Sequence, residues 1–193
     1  GGLTPGKVYY IRVSSTTAAA GTFKLCLDSY NPPLNPAADC SAAIKLCDKN
    51  PVHVPNLSGG GSNSSEPNLG GSCMISGEHN SCWYYWVCDK AGTLTFDLIP
   101  GLPETDLDFV LYSATKPGDI CNSFNRKMER CSCTTCKFGA TGLNSTSAPG
   151  DVNEPYDCQG NDDAYVSQIT MVPGTTYALL VDNASDKDDF TIN

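Results

Sequence analysis

Four carboxylates stand where a cation site could form: Glu78, Asp106, Asp108 and Asp182. Each lies at the end of a predicted strand or in a turn, and Asp106 and Asp108 face the same side of a strand because side chains alternate. Hard cations such as calcium need several oxygen ligands that converge from different loops. We therefore predict a calcium site formed by these four residues. The alternative is that they cap turns and accept backbone hydrogen bonds.

A second acidic stretch contains Asp157, Asn161, Asp162 and Asp163. The ligand spacing of a helix-loop-helix calcium loop is missing there. We expect a solvated turn at these residues.

Eleven cysteines in 193 residues are far above ordinary usage, and most would remain reactive thiols in a reducing cytosol. The count predicts a disulfide-bonded protein that is secreted to the extracellular space or the cell surface. Cys131, Cys133 and Cys136 could instead bind zinc, but the paired Cys-x-x-Cys motifs of structural zinc sites are missing. Disulfides are the favoured interpretation, and Cys40 and Cys47 are the most plausible local pair.

Cys82 and Cys88 lie on one predicted strand, about 20 Å apart at the usual rise per residue. They cannot bond each other at that distance. We expect each of them to find a partner on a neighbouring strand or loop.

Catalysis finds little support, because His53 and His79 are the only histidines. The sequence contains no Gly-x-Ser-x-Gly elbow, no His-Glu-x-x-His helix and no glycine-rich phosphate loop after a strand. His79 beside Glu78 could act as a base with an orienting carboxylate, but a turn histidine before a buried strand is the favoured interpretation. We predict that the protein is not an enzyme.

The net charge of −9 argues against a nucleic-acid partner, because phosphate binding needs a basic face. The only loose basic cluster is Arg126, Lys127, Arg130 and Lys137, which we predict to be a solvated loop. No run of about 18 apolar residues is present, so we predict no membrane insertion.

Turn-forming residues recur along the chain, as is typical of short strands. Residues 81–88, 93–99, 107–112 and 177–181 are rich in aromatic and β-branched side chains and predict the core strands. Leu94, Phe96 and Leu98 alternate with polar residues, so that strand should face a core on one side. These patterns predict an all-β protein built as an antiparallel, disulfide-bonded β-sandwich.

Three segments have weaker patterns. Ser41–Leu46 could form a short helical turn or an edge strand, and the pattern does not decide between them. Asn56–Gly71 and Thr141–Pro155 are rich in turn-forming residues and are predicted as mobile loops.

Four consecutive aromatic residues, Trp83, Tyr84, Tyr85 and Trp86, raise the question of sugar binding. On a strand, the first and third face one way and the second and fourth the other. At least one pair should lie in the core. The other pair could be exposed to a glycan, but packing against a second layer is the commoner outcome.

The two ends of the chain resemble each other. Residues 4–13 match residues 172–181 without a gap, and both segments predict a turn followed by a strand. We therefore interpret residues 1–30 as the C-terminal hairpin of a preceding similar unit, 31–38 as a proline-rich linker and 39–193 as a complete β-sandwich unit. An isolated hairpin is marginal in water. It would pack on the next unit, or add a strand to another molecule's sheet and form a filament.

Six short motifs occur in order between Asp39 and Asn193: residues 39–44, 76–84, 92–96, 106–112, 141–144 and 179–183. In these the chain resembles the repeated domains of gliding-motility-associated and adhesin-like proteins exported by Bacteroidota, which are related to bacterial pre-peptidase C-terminal domains. The resemblance implies a jelly-roll-like sandwich, secretion (commonly by the type IX route) and a surface or adhesive role. The chain departs from this family in its extra cysteines, notably Cys82, Cys88, Cys133 and Cys136.

Together these features favour a non-catalytic structural or adhesive repeat of a secreted cell-surface or filament protein, with neighbouring copies and surface glycans as the expected partners. Two alternatives remain. One is a carbohydrate-binding module of a secreted hydrolase. The other is a filament subunit that assembles by donating a strand from residues 1–30.

Overall fold

The computed structural model describes residues 7–14, 21–22, 25, 37–68, 71–158, 162–185 and 188–193. The chain divides into two compact units, Gly1–Tyr30 and Asn31–Asn193. In the first unit, residues 7–14 are exposed and do not form a strand. The rest of the hairpin expected over 1–30, and most of the linker, lie outside the described residues, so that organisation stays a prediction.

The second unit is built from short strands. Its described residues contain thirteen strands, and three short 3₁₀ turns at Cys40–Ala42, Glu66–Asn68 and Pro117–Asp119. The strands are β1 Ile44–Lys45, β2 Val52–Val54, β3 Ser81–Val87, β4 Gly92–Leu94, β5 Phe96–Pro100, β6 Leu107–Ala114, β7 Arg126–Ser132, β8 Thr141–Asn144, β9 Asn153–Glu154, β10 Tyr165–Ser167, β11 Ile169–Met171, β12 Thr176–Asn183 and β13 Phe190–Ile192. None of the described segments is a helix long and apolar enough to cross a membrane.

The strands form two main sheets and a small ribbon. The first sheet has six strands in the order β1-β3-β12-β6-β7-β9, the second has five in the order β10-β8-β5-β13-β2, and β11 pairs with β4. Pairing is antiparallel except at three sheet edges, where β1, β10 and β9 run parallel to their neighbours. The predicted all-β, disulfide-bonded, jelly-roll-like sandwich is confirmed.

The main core lies between the two sheets. Alternate residues of β12, namely Tyr177, Leu179 and Val181, point into it from the six-stranded sheet. Phe96 on β5 meets Phe109 on β6 edge to face, with 5.2 Å between the ring centroids. This packing is the sandwich contact that the alternating pattern of the 93–99 segment predicts.

The opposite face of the six-stranded sheet carries a second core. Trp83, Val110, Tyr112 and Leu180 are fully buried there, and among the described residues no further sheet covers them. The covering layer includes the 3₁₀ turn at residues 40–42, the loop around Met74 and the segment around Ile120, between β6 and β7. The central strand β12 is therefore buried along its whole length.

The two cores explain the run of aromatic residues. Tyr84 and Trp86 pack in the main core and Trp83 and Tyr85 in the second. Trp86 stacks on Tyr177, and the expectation that opposite faces take alternate rings is confirmed. Both pairs are used for packing.

The strand expectations are confirmed for residues 81–88, 107–112 and 177–181. The segment 93–99 divides at Thr95, so that β4 joins the small ribbon and β5 joins the five-stranded sheet. Ser41–Leu46 contains both elements considered for it, part of a 3₁₀ turn and the edge strand β1.

The loop expected over Thr141–Pro155 is wrong in part, because it contains β8 and β9. Gly142 hides the strand pattern of β8, since glycine is depleted in strands. A side chain cannot replace it: a Cβ there would lie 2.0 Å from the Phe96 carbonyl oxygen, and its φ is +153°. Close approach of the neighbouring strand therefore requires glycine.

Three disulfides are described: Cys40–Cys121, Cys73–Cys131 and Cys136–Cys158. The first ties the N-terminal 3₁₀ turn to the β6–β7 connection, and the second ties the loop before β3 to β7. The expected Cys40–Cys47 pair is wrong, because Cys40 bonds Cys121 and spans 81 residues. Closeness along the chain does not determine this pairing, because the fold brings distant loops together over the second core.

Cys82, Cys88 and Cys133 are free and buried. The expectation that Cys82 and Cys88 find disulfide partners is therefore wrong. Both side chains point into the main core, where a free cysteine packs as a small apolar residue. Burial raises the pKa of the Cys82 thiol, which keeps it protonated.

The second core should contribute as much stability per residue as the sandwich core. We expect Leu180→Ala to cost about 2–5 kcal/mol in the free energy of unfolding, the same range as Leu179→Ala on the opposite face. Leu180 and Leu179 are 0% and 2% exposed, and Ile99→Ala, at a side chain that is 44% exposed, is the control with a small effect. Urea unfolding measures the free energy of unfolding of the three variants. A loss below about 1 kcal/mol for Leu180→Ala would show that the loops pack only loosely on this face of the six-stranded sheet.

Candidate functional site

The structure brings three of the four predicted carboxylates to one end of the second core. Asp182 on β12 pairs directly with Asp108 on β6, and Asp106 precedes β6 by one residue. The Asp106 backbone N–H donates to Ser185 Oγ (2.6 Å), and its carbonyl accepts from the Ala184 N–H (3.0 Å). The registers of β6 and β12 therefore fix this group.

A cavity of about 190 Å³ opens beside these strands. Asp106 and Asp108 line it, and Asp106 Oδ1 is buried without a hydrogen-bond partner. The remaining lining residues are Cys73, Met74, Ser76, His79, Cys133, Thr135, Tyr156 and Ala184. The cavity thus joins carboxylates, an imidazole and a free thiol.

Asp182 does not line this cavity, and both of its carboxylate oxygens already have hydrogen-bond partners. Its Oδ1 accepts from the backbone N–H groups of His79 (2.7 Å) and Asn80 (2.8 Å). His79 Nδ1 lies 2.8 Å from Asp182 Oδ2. This carboxylate therefore caps the turn that leads into β3, as the alternative interpretation of the acidic residues requires.

Glu78 does not line the cavity. It is 7% exposed, its Oε1 accepts from Trp83 Nε1 at 3.0 Å, and its Oε2 is buried without a partner. The carboxyl group thus orients the large ring of the second core.

Burial and the closeness of the carboxyl groups disfavour their ionised forms at this end of the six-stranded sheet. Burial raises the pKa of Glu78 to about 8, and burial with the neighbouring Asp182 charge raises the pKa of Asp106 to about 6. The pKa of Asp108 is raised well above its ordinary value by burial and by Asp106 and Asp182. Burial also raises the pKa of Asp182, although its hydrogen bonds with His79 oppose that shift.

A second carboxylate group lies at the edge strand β9. Asp151, Glu154 and Asp163 bring one ligand oxygen each within 4.8 Å of the others. Glu154 is 4% exposed, and Asp163 is exposed. The sequence pattern predicts a solvated turn at Asp163 and no role for Asp151 or Glu154, because residues 151–154 lie in the loop predicted over Thr141–Pro155.

The charges of this second group also oppose one another. Burial, followed by the charges of Asp162 and Asp151, raises the pKa of Glu154 to about 7. Burial and the charge of Asp163 raise the pKa of Asp151. The one described hydrogen bond to the Glu154 carboxylate is long, 3.5 Å from the Asp163 N–H.

The two groups differ in how well they fit a calcium ion. Calcium–oxygen distances are about 2.3–2.6 Å, so ligands on opposite sides of one ion lie about 5 Å apart. The oxygens of Asp151, Glu154 and Asp163 meet that limit. Among the described residues the four predicted carboxylates do not bring three ligand atoms within 4.8 Å of one another.

A third group of possible ligands is formed by sulfur. The Sγ atoms of Cys73, Cys131 and Cys133 lie within 4.8 Å of one another, with the first two joined as a disulfide. Cys136, which the sequence grouped with them, bonds Cys158 instead. Disulfides therefore account for two of the three clustered cysteines, as expected, and leave Cys133 as a thiol.

The basic cluster does not form one solvated face. Arg126 is 8% exposed, and its guanidinium lies 4.1 Å from the Tyr112 ring centroid and 5.4 Å from that of Trp83. Lys127 is exposed and pairs with Glu129 at 2.8 Å. The expectation of a solvated loop is thus wrong for Arg126, because the sequence did not show that its cation covers two buried rings.

The two histidines contact different aspartates. His53 Nε2 lies 3.3 Å from Asp189 at an exposed site, and His79 bonds Asp182. His79 is therefore oriented by Asp182 and not by Glu78, the orienting carboxylate of the disfavoured catalytic alternative. The absence of enzymatic activity stays a prediction.

A scan against protein-family models and a search of curated proteins found no match. Among solved structures, the chain is similar to CorA, described as a surface-associated copper-binding protein important in Methylomicrobium album BG8 copper acquisition. The TM-score is 0.40 and the identity 13%, over 78% of this chain and 96% of that chain. A similarity of this size does not transfer copper binding to this chain.

The raised carboxyl pKa values predict a pH dependence of stability. A carboxyl whose folded pKa exceeds its unfolded value contributes stability that is complete below the unfolded pKa and is lost as the pH rises through the folded pKa. For Glu78 this window runs from its ordinary value of 4.5 to about 8. Glu78→Gln keeps an acceptor for Trp83 and cannot ionise. We expect its free energy of unfolding to exceed that of the original protein by more than about 1 kcal/mol at pH 8–9, and the two to be equal at pH 4.

Urea unfolding between pH 4 and pH 9 measures this difference. Glu104→Gln, at an exposed side chain, is the matched control and should follow the original protein. If the free energy of unfolding of Glu78→Gln changed with pH in the same way as that of the original protein, Glu78 would not be a source of the pH dependence.

Proposed function

We propose that this chain is a non-catalytic structural or adhesive module of an exported protein, and that it binds calcium through Asp151, Glu154 and Asp163. The observation that carries the proposal is the convergence of these three carboxylate oxygens at one sheet edge. They come from the turn before β9, from β9 itself and from the loop before β10.

Export is supported by the disulfides. The three described bonds span 81, 58 and 22 residues, and structural disulfides persist in oxidising environments such as the extracellular space. They tie loops to one another or to β7, and none of their cysteines belongs to the main core. Such bonds suit a module that must stay folded outside the cell.

Calcium is supported by the electrostatics of β9. Three carboxylates that share one place repel one another, and a buried one such as Glu154 loses its hydration. Either protons or a cation must offset this cost. Because calcium accepts carboxylate oxygens at variable angles, it neutralises the group without the bond angles that a smaller ion demands.

The calcium site predicted at Glu78, Asp106, Asp108 and Asp182 is a weaker candidate. Asp106 and Asp108 could supply two oxygens from the cavity wall. Asp182 already accepts from two backbone N–H groups, and Glu78 holds Trp83. A cation at the cavity would therefore find two available carboxylates and His79.

The packing of the aromatic residues of β3 favours the structural role over a carbohydrate-binding module. Trp83 and Tyr84 are buried, and Trp86 stacks on Tyr177. A sugar needs an exposed aromatic face, and of the aromatic residues on this strand only Tyr85 and Trp86 are part-exposed, with both rings packed against a core. Neighbouring copies, surface glycans, strand donation from residues 1–30 and membership of the Bacteroidota adhesin-like family remain proposals of the sequence.

Calcium should stabilise the protein through the β9 group. At about 100 times the dissociation constant, a ligand adds about 2.7 kcal/mol, which raises the Tm by about 5–10 °C for a domain of this size. We expect this shift in the original protein, and we expect Glu154→Gln to abolish it. Calorimetry in calcium and in chelator measures the shift.

Two further variants locate the site. Asp108→Asn should retain the calcium response if the β9 group binds the ion, and Asp89→Asn, at an exposed side chain remote in sequence from both groups, is the control for a general loss of charge. Loss of the response in Asp108→Asn, with retention in Glu154→Gln, would place calcium at the cavity and overturn our assignment. No response in any form would refute calcium binding.

A further inference from the structure

The cavity beside β6 contains a pair of acidic groups without a basic side chain to neutralise them. Asp106 and Asp108 line it, and none of the described residues in its wall is a lysine or an arginine. Asp106 Oδ1 is buried without a hydrogen-bond partner. No described residue donates a hydrogen bond to the Asp108 carboxylate. The two carboxyl groups therefore line a space of about 190 Å³ with acceptors that the described residues do not use.

The backbone fixes the spacing of this pair. Asp106 and Asp108 are two residues apart, so their side chains leave the same side of the chain, about 7 Å apart at the usual rise of a strand. Asp108 is held in register with Asp182 on β12. Asp182 itself is not available to a ligand, because both of its oxygens already have hydrogen-bond partners.

A bound cation would offset the cost of placing these charges together. Burial, and then the charge of Asp182, raises the pKa of Asp106. Burial, and then the charges of Asp106 and Asp182, raises the pKa of Asp108. A positive group between the two carboxylates would favour their ionised forms.

A metal ion does not fit the pair. Calcium takes about six to eight oxygen ligands, and the cavity offers only two carboxyl groups. Among the described residues, neither Asp106 nor Asp108 belongs to a group of three ligand atoms within 4.8 Å of one another. A molecular cation with several hydrogen-bond donors at wider spacing suits the pair better.

The shape of the donor set distinguishes the possible molecular cations. The donors of an ammonium radiate from one nitrogen, so its acceptors lie within about 5 Å of one another. A guanidinium carries five N–H donors on the edges of a plane, and can bond a different carboxylate on each of two edges. The spacing of Asp106 and Asp108 therefore favours a guanidinium.

The walls of the cavity suit a flat cation on an apolar stem. Met74 and Ala184 contribute apolar surface, and Tyr156 lines the side that is open to solvent, with 55% of the residue exposed. Guanidinium groups stack on aromatic rings and are less strongly hydrated than ammonium groups. The ring thus offers a face for the cation beside the two carboxylates.

We propose that this cavity binds the guanidinium group of an arginine, which bridges Asp106 and Asp108 and packs against Tyr156. The site lies outside the β9 group and uses none of its carboxylates, so it stands independently of calcium binding. It gives the module a specific ligand in addition to its structural role.

The test is a calorimetric titration of the full chain with N-acetyl-arginine amide, for which we expect saturable binding of one molecule per chain. N-acetyl-citrulline amide has nearly the same shape without the charge and should not bind. N-acetyl-lysine amide should bind at least about tenfold more weakly, because a point charge replaces the planar fork. Equal affinity for the arginine and either other probe, or no binding up to about 10 mM, would overturn the proposal.

Variants locate the site. Asp108→Asn should weaken arginine binding by at least about tenfold, because it removes a charged hydrogen bond. Glu154→Gln in the β9 group and Asp89→Asn at an exposed side chain should leave the affinity unchanged. Unchanged affinity in Asp108→Asn, or an equal loss in Asp89→Asn, would show that arginine does not bind at the cavity.

A second pair of variants avoids the buried strands. Tyr156→Ala should weaken binding about three- to fivefold through loss of the ring, whereas Tyr156→Phe keeps the ring and should retain the affinity. Circular dichroism checks the fold of both variants. Full affinity in a folded Tyr156→Ala protein would contradict this arrangement of the ligand.

A comparison of free arginine with N-acetyl-arginine amide identifies the source of the guanidinium. Tighter binding of free arginine would assign a small-molecule ligand. Tighter binding of the blocked residue would assign an arginine side chain of a polypeptide. Both results support a guanidinium site, and binding of neither compound would refute it.

Discussion

Burial of both faces of the six-stranded sheet is the constraint on which the rest of the structure depends. One face meets the second sheet, and the side chains of the two sheets exclude water between them. The other face carries Trp83, Tyr112 and Leu180, which also must leave water. Loops cover that face, and loops have few apolar side chains and no hydrogen-bond ladder of their own.

Cross-links compensate for the weakness of this covering layer. Cys40–Cys121 and Cys73–Cys131 each fix a loop of the second core, and such bonds limit the freedom of the unfolded chain. Asp39 adds a local clamp, because its carboxylate accepts from the N–H groups of Ser62 and Asn63. The Ser62 hydroxyl, which also donates to this carboxylate, and then the N–H groups lower the pKa of Asp39. The covering loops therefore depend on bonds that a sheet would not need.

The same layer explains why ionisable groups lie inside the protein. Glu78, in the loop before β3, bonds Trp83, and Arg126, the first residue of β7, covers the Trp83 and Tyr112 rings. Asp108 enters the sheet opposite Asp182, where like charges oppose each other. The raised carboxyl pKa values follow from this placement, and so does the cavity that collects carboxylates, His79 and Cys133.

The sequence predicts the sandwich core well, because that core depends on the alternation of apolar and polar side chains along each strand. Phe96 and Leu98, and the opposite faces taken by Trp83 and Tyr84, follow from period two alone. The second core does not, because its cover comes from loops whose apolar residues, such as Met74 and Ile120, have no period.

The candidate sites show the same limit. Asp106 and Asp108 share a strand, and their proximity follows from spacing, whereas Asp151, Glu154 and Asp163 meet only through the parallel pairing of β7 with β9 and of β8 with β10. The disulfides depend on loop positions, which spacing along the chain does not encode.

Hydrogen exchange before and after mild disulfide reduction tests most directly whether the cross-links hold the loop layer on the sheet. We predict that amides of residues 37–43 and 71–76 exchange faster after reduction, while those of β5 and β8 in the second sheet stay protected. Unchanged exchange in the two loop segments would contradict this role of the disulfides. Simultaneous loss of protection in every strand would show instead that the two cores are one cooperative unit.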